Sequence, residues 1–101
     1  MATQPLSAAE IESRLGELNA GAGDTPWAIR DGKLAKEFVF PDFVAAFGFM
    51  TRAAIHAQVM DHHPEWCNVY RKVDVRLTTH SAGGLTGLDF DLAARMESVA
   101  R

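Results

Sequence analysis

Cysteine is nearly absent from this chain: Cys67 is the only one in 101 residues. A single thiol excludes an internal disulfide and any zinc site built from several cysteines, and it suits a reducing compartment. Runs of one charge are missing as well. Thirteen acidic and ten basic residues leave a formal charge of -3 with no Lys/Arg cluster, so direct nucleic-acid binding through phosphate neutralisation is not expected. No repeat, linker or low-complexity stretch interrupts the chain. The opening residues Met1-Ala2-Thr3-Gln4-Pro5 lack the charged and apolar regions of a targeting peptide, and no apolar run reads as long enough for a membrane span. The expectation is a cytoplasmic protein with no membrane contact.

What is present is ordinary globular composition, 48% apolar and 23% charged, well away from the balance of disordered chains. Residues 1–101 are read as one domain. A chain this short buries only about 60–70% of its unfolded surface, so self-association would be a natural supplement to the core.

Ser7 and Glu10 form an S-x-x-E capping box flanked by Leu6 and Ile11 as a hydrophobic staple, which predicts a helix start. Ile11, Leu15 and Leu18 continue a narrow apolar stripe until Gly21 and Gly23. Trp27 and Ile29, the turn signal Asp31-Gly32, then Leu34, Phe38 and Phe40 of one parity predict a β-hairpin. Pro41 is placed at the start of a second helix, with Phe43, Phe47, Met50 and Ala54 along one face and an end near Met60.

Pro64 disfavours helical geometry at His63, so the chain must turn within residues 61–64. From Val69 to Thr79, apolar Val73, Val75 and Leu77 alternate with polar neighbours. The pattern allows either one long strand or two strands turning near Arg71-Lys72. A second capping box, Thr86 with Asp89, carries Leu85 and Phe90 as its staple. It opens a last helix with an apolar stripe of Phe90, Leu92, Ala94, Met96 and Val99. The fold class is α+β, with helices on one face of an antiparallel sheet.

The residues able to do chemistry gather at element ends: Asp61-His62-His63-Pro64-Glu65-Trp66 and Thr78-Thr79-His80. An imidazole titrates near neutral pH, so three in one cleft suit general acid/base catalysis. A His-His pair at a helix terminus also has a plain structural use, hydrogen-bonding the last carbonyls. Three neutral imidazoles can also hold zinc, although adjacent histidines point in different directions and no H-x-H or H-E-x-x-H pattern is present.

Taken together, Phe47-Gly48-Phe49-Met50-Thr51-Arg52, Asp61-His62-His63-Pro64-Glu65-Trp66, Asn68-Val69-Tyr70, Val73, Leu77, Thr79-His80, Gly84-Leu85-Thr86, Asp89 and Leu92-Ala93 resemble the pterin-4a-carbinolamine dehydratase family. The resemblance implies a four-stranded antiparallel sheet with three helices on one face, in the order α-β-β-α-β-β-α. Asn68-Val69-Tyr70 would lie on one strand and Val73 to Thr79 on the next. It implies dimers or tetramers and a 4a-hydroxytetrahydropterin substrate left by an aromatic amino-acid hydroxylase. The product is quinonoid dihydropterin, and neither a metal nor a separate cofactor is called for.

By the same resemblance His62, His63 and His80 are the catalytic residues: His62 and His80 are assigned to proton transfer, and His63 to binding and orienting the pterin and to assisting them. Trp66 is a wall for the flat ring, and Asp61 orients a histidine or touches the pterin. Pro64 fixes the turn that aims the histidines. Trp27 is either a further aromatic contact or ordinary core packing, and Asp89 is either a site residue or only a helix cap. Gln58 stands where some relatives carry glutamate, keeping a hydrogen-bonding group without the charge. His56 matches no family catalytic position. Two other functions compete: a protein-binding dimerisation cofactor of a transcription factor, as some relatives are, and a metal-dependent hydrolase.

Overall fold

The computed structural model describes residues 4–101; Met1, Ala2 and Thr3, part of the stretch read above for a targeting segment, lie outside them. The order is α1 (Ala8–Ala20), β1 (Ala28–Arg30), β2 (Lys33–Val39), α2 (Phe43–Met60), β3 (Glu65–Val69), β4 (Lys72–Leu77), a short 3₁₀ turn (His80–Ala82) and α3 (Gly87–Val99). All strand pairs are antiparallel and the sheet order is β1-β2-β4-β3. The expected α-β-β-α-β-β-α succession is therefore the observed one.

Both hairpins follow from local chemistry. Asp31 and Gly32 both have positive φ (51° and 75°), the arrangement a type I′ turn needs between two twisted strands. The β3–β4 connection is Tyr70-Arg71, one residue earlier than the Arg71-Lys72 alternative, and Tyr70 takes φ 53°. An aromatic residue is unfavourable there. The Asn68 side chain compensates by donating to the carbonyls of Tyr70 and Lys72, at 3.1 and 2.9 Å. β4 closes at Leu77, and Thr79 pairs separately with Gly84.

Leu34, Phe38, Val73, Val75 and Leu77 all point to the helix-covered face and are buried with Phe49, Leu92 and Met96. Lys36 shares that inward parity. Its ammonium is buried against Glu97 at 2.5 Å and lies 4.6 Å from the centre of the Phe38 ring. Glu97 also accepts from Trp27 Nε1 at 3.0 Å. Burying a charge is costly unless it is paired and hydrogen-bonded, and this carboxylate satisfies two buried donors at once. Ile29, by contrast, is exposed, because β1 is a three-residue edge strand.

Three expectations about the later helices need correction. Asp42, not Pro41, caps α2, accepting from the Ala45 N–H at 2.8 Å; Pro41 stands outside the helix. The buried stripe of α2 is Ala46, Phe49, Ala53 and Ala57, whereas Phe43 and Phe47 are exposed along with Val44, Ile55 and Val59. Periodicity could not separate these faces, since α2 carries apolar residues on both of them and only four polar ones, Thr51, Arg52, His56 and Gln58. For the same reason α2 is, by length and composition alone, long and apolar enough to cross a membrane, at a mean hydropathy of 1.2. In α3 the small buried residue is Ala93 and Ala94 is exposed.

Candidate active site

The end of α2 sets the first two histidines. Asp61 adopts the left-handed conformation (φ 50°), a position that glycine or asparagine usually fills. Its N–H donates to the Gln58 carbonyl at 3.2 Å, and the His62 N–H reaches back to the Ala57 carbonyl at 3.0 Å. This pair of bonds is the Schellman closure. It ends the helix and turns the chain through Pro64 into β3, with His62 directed inward and His63 left exposed.

His62 meets Asp89. Its Nε2 lies 2.6 Å from Asp89 Oδ1, and Asp89, at 0% exposure, is among the most deeply buried polar residues described. The other carboxylate oxygen accepts from the Thr86 N–H at 2.9 Å and the Thr79 hydroxyl at 2.8 Å, and Thr79 in turn meets the Thr86 hydroxyl at 2.8 Å. One side chain thus does both things considered for it: Oδ2 completes the capping box of α3 and Oδ1 holds the imidazole. An acceptor carboxylate leaves His62 Nε2 as the donor, so Nδ1 is the ring nitrogen that remains for another partner. Among the described residues no buried side-chain nitrogen or oxygen lacks a partner.

The second histidine segment joins the first from β4. Thr79 binds Asp89, and the next residue, His80, places its Nε2 2.9 Å from Glu65 Oε2 at the start of β3. Glu65 Oε1 accepts from the Lys33 ammonium at 2.6 Å. The Lys33 ammonium, followed by the His80 ring, holds the Glu65 carboxyl below the ordinary carboxylate range. His63 Nε2 lies 3.2 Å from Gln58 Oε1, so each of the three rings has its own acceptor, two of them carboxylates and one neutral.

The remaining candidates divide. Trp66 is half-buried on β3 opposite Val75, packed against the core. Pro64 is half-buried in the turn, and Asp61 is exposed, its backbone closing α2. Trp27 is not part of this cluster. It is 1% exposed, set edge-on to Phe38 just before β1, at the opposite edge of the sheet from β3, and bonded to Glu97, so it packs in the core. His56 pairs with Arg95 at 3.3 Å on the surface. Glu65, Thr79 and Thr86 were not singled out from sequence as holding histidines, though Glu65 lies inside the quoted motif and Thr86 inside the capping box.

The cluster is open. His63 and His80 are exposed; the nearby recess of about 230 Å³ is lined by Glu65, Trp66, Cys67, Asp74 and Arg76, so it meets the site only through Glu65 and Trp66 and not through the three histidines. Among the described residues no three His, Cys, Asp or Glu side chains converge as a metal site. What the arrangement can do chemically is move protons. Two imidazoles are backed by carboxylates, one sealed and one at the rim, which is the pairing that fixes tautomer and orientation in acid/base catalysis.

Residues 4–99 match the family model described as Pterin 4 alpha carbinolamine dehydratase. A protein of Solibacter usitatus, provisionally named a pterin-4-alpha-carbinolamine dehydratase, is 50% identical over 97% of both chains. One from a Chelativorans species with the same provisional name is 53% identical over 99% of this chain and 98% of its own. The crystal structure of a transcriptional coactivator/pterin dehydratase from Brucella melitensis superposes with a TM-score of 0.87 at 41% identity, covering 97% of this chain and all of that one. With near-complete coverage in all three comparisons, the chain belongs to the pterin-4a-carbinolamine dehydratase family, a family of hydro-lyases.

Proposed function

We propose that this protein dehydrates a 4a-hydroxytetrahydropterin to the quinonoid dihydropterin by metal-free histidine acid/base catalysis, regenerating the pterin used by an aromatic amino-acid hydroxylase. One histidine takes the proton from a ring N–H, the electron pair forms the new C=N bond, the C4a–O bond breaks, and a second histidine, carrying protons on both ring nitrogens, gives its Nδ1 proton to the departing hydroxyl to form water. Each such proton transfer is typically worth about 10² to 10⁴ in rate. The observation that carries the reading is the buried His62–Asp89 pair, since a carboxylate on Nε2 leaves Nδ1 poised to exchange a proton. His80 is the partner in proton transfer. His63, with Gln58, and Trp66 serve to orient and cover the pterin, and Asp61 and Pro64 shape the turn beside it.

The test supplies the short-lived carbinolamine from a working hydroxylase and follows its decay. The protein should hasten that decay, and His62→Ala and His80→Ala should each lower kcat by about 10² or more in folded protein. Undiminished turnover in both variants would overturn the mechanism. Stoichiometric zinc, with activity lost to a chelator, would instead favour the metal-dependent hydrolase.

A cytoplasmic homo-oligomer belongs to the same proposal. Phe43, Val44, Phe47, Ile55 and Val59 are large apolar side chains left exposed along α2, the kind of surface that marks an interaction site, and a second copy is the occupant we assign to it. Phe47→Glu should lower the mass seen by light scattering. The Brucella relative is described as a transcriptional coactivator, which favours a second reading in which the same face also receives a regulatory protein. A protein that fails to hasten carbinolamine decay would shift the choice toward that role.

A further inference from the structure

We infer that Glu65, backed by Lys33, is the positioning residue for His80, selecting the tautomer in which Nδ1 meets the substrate. This deepens the dehydratase reading and rests on it.

The geometry begins with strand parity. Glu65 and Trp66 are adjacent on β3 and point to opposite faces. Trp66 faces the helices with Val75, while Glu65 lies on the open face in register with Arg76. Lys33, the first residue of β2 after the Asp31-Gly32 turn, also lies on the open face. Its ammonium reaches past β4 to Glu65 Oε1 at 2.6 Å, leaving Oε2 for His80 Nε2 at 2.9 Å. The two oxygens are thereby committed to different partners, so the carboxylate cannot rotate without breaking one contact.

His80 itself sits at the start of a short 3₁₀ turn that ends on Gly83, whose φ is 73°. Backbone contacts hold this segment: the Thr79 carbonyl accepts from the N–H groups of Ala82 and Gly83. They fix where the Cα of His80 stands and leave the ring free to turn. Glu65 supplies what the backbone cannot, an acceptor for one ring nitrogen. A neutral imidazole with its hydrogen on Nε2 presents Nδ1 as the lone-pair nitrogen, and the bond made by one nitrogen sets the state of the other. His62 is held through the same nitrogen by Asp89. The two histidines assigned to proton transfer thus share one mode of support from unrelated parts of the chain.

The test combines spectroscopy with kinetics on the full-length protein. In wild type, the long-range ¹H–¹⁵N spectrum of neutral His80 should show the Nε2–H tautomer. In Glu65→Ala it should become a mixture, and in Glu65→Gln the amide oxygen should largely restore it. Because Glu65 is exposed, the backbone amide spectrum of each variant should stay that of the folded protein. Glu65→Ala should lower kcat about tenfold, a fraction of a full acid/base contribution, with KM changed less than about twofold. Glu65→Gln should recover part of the loss, and Lys33→Met should fall between wild type and Glu65→Ala. An unchanged His80 tautomer in Glu65→Ala, or kcat equal to wild type in that variant while His80→Ala is impaired, overturns the inference. Failure of the dehydratase reading shows differently, as carbinolamine decay that wild-type protein does not hasten; the His80 spectrum then still decides whether Glu65 holds the ring.

Discussion

His62 and His80 each bond a carboxylate through Nε2, at 2.6 and 2.9 Å, yet the two pairs live in different solvents. The side chains of His62 and Asp89 are 9% and 0% exposed, against 79% and 42% for His80 and Glu65. Inside, Asp89 has given up its water entirely and its partners nearly so, so losing one contact leaves an unsatisfied group whose desolvation is not recovered. At the rim, water replaces any contact that breaks, and an exposed ion pair adds little to stability. The difference teaches that the sealed pair is part of the folded frame, whereas the rim pair can be adjusted for chemistry without risk to the fold.

Removing Asp89 should break this comparison most severely. Asp89→Ala takes away the acceptor of the Thr86 N–H, the Thr79 hydroxyl and His62 together, and we expect a loss of about 3 kcal/mol or more in urea unfolding. A shift no larger than that of a surface substitution would mean that water enters and satisfies the network. Thr79→Val, nearly isosteric, deletes one donor to Asp89 and should cost about 1–2 kcal/mol by the same measurement. For His80→Ala the unfolding midpoint should stay within about 0.5 kcal/mol of wild type while turnover falls. Equal destabilisation by Thr79→Val and His80→Ala would erase the distinction between core and rim.

The smallest effect is one of pH. Glu65 is held below the ordinary carboxylate range by Lys33 and then by His80. A depressed folded value means that its contribution is present above the unfolded value and is lost as pH falls through the folded one. A ¹³C titration of the Glu65 carboxyl should therefore show a midpoint below that of an exposed glutamate, and Lys33→Met should move it upward. A midpoint indifferent to Lys33 would mean that the ammonium does not reach the carboxylate in solution.

Legibility in the sequence followed the range of the interaction. The two capping boxes and the Asp31-Gly32 turn span at most four residues, and each stands where it was read. The β3–β4 turn was left open because its stabiliser, the Asn68 side chain, does not belong to any preferred turn dipeptide. The α2 stripe was assigned to the wrong face because Phe43, Phe47 and Ile55 are as apolar as the residues that pack. Only the small side chains of Ala46, Ala53 and Ala57 let the helix approach the rest of the core. Lys36 and Glu97 were passed over, since a charged residue at an inward strand position is recognised as buried only once its partner, sixty-one residues away, is seen.

The same rule sorts the site. The type of most elements, the capped starts of α1 and α3 and the grouping of histidines at element ends are written in local pattern, since backbone sterics, capping and side-chain period act between near neighbours. That β3 and β4 are two strands followed from the family resemblance. Which carboxylate serves which imidazole was decided only when the chain closed. Asp89 lies twenty-seven residues from His62 and Glu65 fifteen from His80, and at those separations nothing in the local chemistry chooses a partner. The packing of α3 against the end of α2, and the pairing of β3 with β4, bring them within hydrogen-bond reach and set how much water each pair keeps.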